Sequence, residues 1–190
     1  MKKLLVLLLA AFIAFSFASC DNSTPTPENP AVNAPAVNTE ERFATMDDNE
    51  KIQFVSLIDG TASMSEEYNK LGAELSQKMM KNPNKQQTVS NEAKTITMTG
   101  IYNTSKPEMN MTVTYDGLVI DGLTFWGQTK LMSSPSGSSS TASYTVRVEE
   151  ASMGLEVGDV FSYVSESLSN STGGSTTYTL NGQKLPTQEY

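Results

Sequence analysis

The chain of 190 residues contains no histidine, a single cysteine and a single tryptophan. Without histidine there is no Ser-His-Asp or Cys-His catalysis, no imidazole metal ligand and no histidine switch near neutral pH. One cysteine permits no internal disulfide, no Cys-x-x-Cys redox pair and no thiolate zinc site. Basic residues are scarce too: 13 Lys and Arg stand against 21 Asp and Glu, a formal net charge of −8. That balance argues against nucleic acid as a partner, because phosphate recognition needs cations. At this length one domain is expected, with room for a tail.

What is present begins with a short positive segment, Met1-Lys2-Lys3, followed by an apolar run from Leu4 to Phe17 interrupted only by Ser16. The run is too short for a hydrocarbon core that needs about 20 residues, and it matches the apolar region of a secretory signal. An uncleaved anchor helix is the alternative. The lone cysteine stands where the run stops. Phe17-Ala18-Ser19-Cys20 resembles the lipobox of bacterial lipoproteins, in which cleavage precedes a cysteine that becomes lipidated. The resemblance covers about the first twenty residues and departs from the commonest pattern at Phe17, where leucine or another aliphatic is usual. Ordinary signal cleavage leaving a free thiol is the other reading of Cys20.

The resemblance implies a signal peptide over 1–19, lipid attachment at Cys20 and a location in the bacterial cell envelope, with the membrane as a partner. The leaflet stays open, outer membrane, periplasmic or surface-facing, and so does Asp21, which resembles an inner-membrane retention signal in enterobacteria only. Removing Lys2 and Lys3 would take the formal charge from −8 to −10, which repels anionic headgroups and favours a body held off the surface. Asp21 to Thr39, with Pro25, Pro27, Pro30 and Pro35, has neither aromatic residues nor periodicity. It is expected to be an extended, disordered tether, so residues 20–39 form the lipidated cysteine and spacer and 40–190 a single domain.

Within that domain the period changes from helical to alternating. Ile52, Val55 and Ile58 follow a capping sequence at Thr45-Met46-Asp47-Asp48, with Phe54 and Leu57 widening the apolar face, and Asp59-Gly60 reads as the helix end. Ser63-Met64-Ser65-Glu66 opens a second stripe at Met64, Tyr68, Leu71, Leu75 and Met79, stopped by Asn82-Pro83. Beyond Lys94, apolar residues alternate with threonines, as in an antiparallel sheet covered on one side. Asp116-Gly117 reads as a two-residue hairpin turn. Leu118 and Ile120 then conflict in parity with Leu123 and Phe125, so a bulge or sharp bend is expected at Asp121-Gly122. Ser133 to Ser143, with seven serines, reads as a long exposed loop, and Asn170 to Ser175 as another turn. The expected fold is α+β: helices over about 46–58 and 64–81 packed on an antiparallel sheet of about six strands.

Chemistry-bearing patterns are sparse. Gly122-x4-Gly127-Gln128-Thr129 approaches a phosphate-binding loop but lacks its lysine. No serine stands three residues before a lysine, and no calcium-loop pattern occurs. Asp116, Asp121, Glu149 and Glu150 are the candidate carboxylates for general acid/base work, which needs two of them converging in one cleft. Neither catalytic residues, a metal nor any cofactor is assigned. Phe125 and Trp126, adjacent and therefore on opposite faces of a strand, are the candidate contact residues for a ligand, glycan or protein. The leading expectation is a membrane-tethered, non-enzymatic binding or surface-presentation domain whose ligand could be a protein, a glycan or an apolar molecule. The alternatives are a small envelope-polymer hydrolase using paired carboxylates, a lipid-carrier half-barrel, or an accessory subunit of an envelope complex.

Overall fold

A computed structural model describes residues 39–151 and 154–190; the signal, Cys20 and nearly all of the tether lie outside them. Three helices precede a nine-stranded antiparallel sheet in which β1 to β8 neighbour one another in chain order and β9 returns to β7. The α+β class with helices on a sheet is therefore present, with more strands than the alternating segments alone indicated.

Helix α1 (Thr39–Ala44) is a single turn and a half. Thr39 is buried, donating from Oγ1 to the carbonyl of Val160 at 3.0 Å, and Phe43 packs against Phe54 and Phe161. Arg42 reaches from it to the carbonyl of Gly154 at 2.9 Å, to Glu156 at 2.7 Å and to the buried Asp159.

Helix α2 (Asp48–Met64) starts with a full capping box between Asp47 and Glu50, an arrangement worth about 1 kcal/mol. It does not end at Asp59-Gly60. A glycine costs a helix only about 1 kcal/mol, and here that loss is outweighed by Ala62 in the core one turn on and by Asp59 binding the sheet. Ser65, in extended conformation, ends α2 and caps α3 (Glu66–Lys81), accepting from the Tyr68 amide. Met64 and Leu57, counted among the apolar stripes, are instead 74% and 57% exposed.

The sheet comprises β1 (Gln87–Ser90), β2 (Ile96–Asn103), β3 (Glu108–Ile120), β4 (Leu123–Ser134), β5 (Gly137–Val148), β6 (Val160–Asn170), β7 (Gly173–Leu180), β8 (Gln183–Lys184) and β9 (Gln188–Glu189). Its outermost strands are short, which limits the unpaired edge. The two Asp-Gly dipeptides exchange the roles expected of them. Asp121 and Gly122, both at positive φ, make the tight β3–β4 turn, while Gly117 is the extra residue of a bulge between Asp116 and Leu118. The bulge restores parity, so Tyr115 and Leu118 both face the helices.

The serine-rich segment is strand, not loop. Ser133 and Ser134 end β4, Pro135 and Ser136 turn, and β5 begins at Gly137. The small side chains of Ser133, Ser140 and Ala142 are buried, so their size suits the inner face rather than solvent. Likewise only residues 171 and 172 separate β6 from β7.

One row across the inner face organises the core: Ile96, Tyr115, Gly127, Tyr144, Tyr163 and Leu180 are successive cross-strand partners. Gly127 leaves a gap between two tyrosines, and the rings of Tyr115 and Tyr144 close over it with centroids 5.3 Å apart. A Cβ there would lie 2.0 Å from the Ser143 carbonyl oxygen, at φ 139°. Gly127→Ala should therefore destabilise the protein by about 3 kcal/mol or more. Gly60→Ala, in a helix with nothing within 4 Å of the added methyl, should stabilise it by about 0.5–1 kcal/mol. Denaturant unfolding of both variants beside the parent chain reads the opposite signs.

Candidate functional site

The row above the tyrosines runs Met98, Val113, Thr129, Ala142, Ser165 and Tyr178. Where this row and the tyrosine row meet the end of α2, the helix brings down Asp59. Tyr163 donates to its Oδ1 at 3.1 Å and Ser165 to its Oδ2 at 3.0 Å. Three residues further along α2, Tyr115 donates to the Ala62 carbonyl at 2.8 Å. The hydroxyls of Thr129 and Tyr144 bond to each other. Between these groups lies a cavity of about 20 Å³, bordered by Asp59, Tyr68, Thr129, Ser140 and Tyr144. That is space for one water-sized particle.

The electrostatics follow from the burial. Desolvation pushes the Asp59 carboxyl up from 3.8 to about 6, against the opposing pull of the hydrogen bonds from Ser165 and Tyr163. Burial, with the Asp59 charge as a secondary cause, pushes Tyr68 up to about 12. Burial likewise raises Tyr115, Tyr144 and Tyr163 well above the ordinary phenol value, so these tyrosines stay neutral at physiological pH. The site is a partly buried acid in a hydroxyl-rich, neutral surround.

The carboxylates singled out in the sequence behave differently. Asp116 is exposed on the outer face opposite Trp126. Asp121 is exposed in the β3–β4 turn, whose Gly122 carbonyl accepts from the amides of Glu149 and Glu150. Glu149 pairs with Arg147 at 3.1 Å and accepts from Thr124 at 2.6 Å, while Glu150 is exposed. Asp121, Glu149 and Glu150 share one sheet end, and Asp116 stands several residues along β3 from them. In the sequence pattern Asp59 marks only a helix end. The signal that could have found it was its place one residue after Ile58 on a buried stripe.

Phe125 is fully buried, packed against Tyr115 and Tyr144, and is out of reach as a contact residue. Trp126 lies on the opposite face, half-buried, with its indole over Gly117: a Cβ on that glycine would sit 3.4 Å from the indole nitrogen. Its cross-strand neighbours are Asp116 and Thr145. The rows on either side of it are Val119, Thr124, Arg147, Val160 and Thr97, Thr114, Gln128, Ser143, Val164, Thr179, and beyond the latter runs Thr99, Thr112, Lys130, Thr141, Glu166, Thr177. No helix among the described residues is long and apolar enough to cross a membrane, and none of their acidic or sulfur groups cluster as a metal site.

Because the folded pKa of Asp59 lies above its unfolded value, its contribution to stability is greatest below pH 4 and is lost as the pH rises through 6. The interval amounts to about 3 kcal/mol. Asp59→Asn should flatten this part of the stability–pH curve and leave the variant more stable than the parent at pH 7.5. Urea unfolding at intervals between pH 4 and 7.5 measures both. No family model matches the chain, and no curated protein or solved structure matches it.

Proposed function

We propose that this chain is a lipid-anchored protein of the bacterial cell envelope whose domain acts by binding rather than by catalysis. The observation that carries the reading is the position of the only cysteine, Cys20, directly after Phe17-Ala18-Ser19 at the end of a signal-like apolar run. The Pro-rich segment that follows would serve as the spacer between lipid and domain, and Thr39 begins a helix already fixed to the sheet. Two or more acyl chains give durable attachment, where one gives only a fleeting hold.

The outer sheet face is the surface such a tether would present. It sets one indole among threonine and serine hydroxyls, with Asp116 opposite it and Arg147 in the adjoining row, which suits a polyhydroxylated ligand such as an envelope glycan: ring faces stack on the indole and hydroxyls and charged groups exchange hydrogen bonds. Asp116, Asp121 and Glu150 are exposed and Glu149 is held by Arg147 and Thr124, which favours binding over hydrolysis.

Cys20→Ala should move the protein from the membrane fraction to the soluble fraction and abolish incorporation of labelled palmitate. Full membrane retention of that variant would contradict lipid anchoring. As the only tryptophan, Trp126 is an unambiguous fluorescence reporter. Soluble envelope-glycan fragments should shift its emission saturably, whereas unchanged emission would remove the outer face as the glycan site.

A further inference from the structure

Asp59 is a carboxylate without a counter-charge. It accepts from Tyr163 and Ser165, which leaves acceptor capacity on both oxygens, since an ionised carboxylate offers about four lone-pair positions. The groups facing it are Tyr68 from α3, Tyr115 from β3, Tyr144 from β5, Tyr163 and Ser165 from β6, and Tyr178 from β7. None is a cation. Next to the carboxylate is the cavity of about 20 Å³, to which Ser63, Thr129 and Ser140 also contribute.

Every polar side-chain group around the cavity presents oxygen, the donor preferred by hard cations. The single negative charge selects further: a monovalent ion would leave the site neutral, and a divalent one would leave a buried positive charge, which is costly. The volume admits one particle of water size. We infer that the Asp59 cavity is a binding site for a small dehydrated monovalent cation of the sodium type, held by the Asp59 carboxylate and neighbouring hydroxyl oxygens between α2 and the sheet.

Such a cation and a proton compete for the same carboxylate. The surrounding tyrosines do not titrate between pH 5 and 7.5, so cation binding in that interval depends on Asp59 alone. Occupancy would also offset the charge held between α2 and β6, which ties stability to the ionic composition around the domain.

The test uses the full chain purified in detergent, with sodium chloride replacing choline chloride at constant ionic strength. At pH 7.5 the unfolding midpoint should rise saturably with sodium, by about 4 °C for each tenfold increase beyond half-saturation. At pH 5 the rise should shrink or vanish, and in Asp59→Asn it should be absent at both pH values. Should that variant fail to fold, sodium-23 relaxation on the parent chain at pH 7.5 and pH 5 gives the same comparison, and Ser165→Ala should weaken the effect several-fold. A midpoint indifferent to the exchange of sodium for choline, or an equal response in Asp59→Asn, overturns the assignment and leaves the cavity to water.

Discussion

The hydrogen bonds from Tyr163 and Ser165 to Asp59 join helix to sheet, and much of the domain is arranged around them. Hydrophobic contact alone would let α2 slide or rotate over a sheet, because apolar burial has no direction. Two hydrogen bonds to one partly buried carboxylate do have direction. They set which turn of α2 meets which residues of β6, and with that register Tyr115 can donate to the Ala62 carbonyl. The cost is a charge held in a poorly solvated place, visible in a carboxyl pushed up to about 6. Removing one partner of such a group is far more damaging than replacing the whole arrangement by apolar side chains.

Room for the carboxylate comes from small residues in the sheet. Gly127 allows rings from β3 and β5 to meet over β4, and Ser140, Ala142 and Ser165 keep the adjoining rows shallow. Gly100 plays a similar part at the other helix: a Cβ there would lie 2.7 Å from the Met79 sulfur. Aromatic bulk is concentrated in the tyrosine row and below it, where Phe43, Phe54 and Phe161 form a separate cluster at the start of the domain. The face turned away from the helices carries many threonines and serines beside exposed Val119, Met132 and Leu168, with Trp126 as its one large aromatic group.

Local periodicity made the class of fold and the two long helices readable from the chain. Val113 and Tyr115, or Tyr144, Val146 and Val148, show their face by alternation alone. What was not readable depended on pairing. Asp116-Gly117 and Asp121-Gly122 are the same dipeptide, and only the register of β3 against β4 decides which turns the chain and which forms the bulge. Ser133 to Ser143 resembles a flexible loop by composition, yet it is paired strand around a short turn, and Ser133 and Ser140 are buried on the inner face. Asp59-Gly60 has the composition of a helix terminus, and the partners that keep it helical are more than 100 residues away. The candidate site was missed for that reason: its members come from distant segments, and none belongs to a recognisable motif.

A carboxylate held partly buried between helix and sheet, ionised at neutral pH without a cation of the protein's own beside it, is the central claim about this domain. Its most direct test is the site-resolved titration of Asp59, following the side-chain carboxyl carbon by NMR in sodium-free buffer. An apparent pKa near 6 is expected. A value near the ordinary 3.8, with no displacement when sodium is added, would mean that the carboxylate is solvated or already paired, and would contradict the buried-acid site.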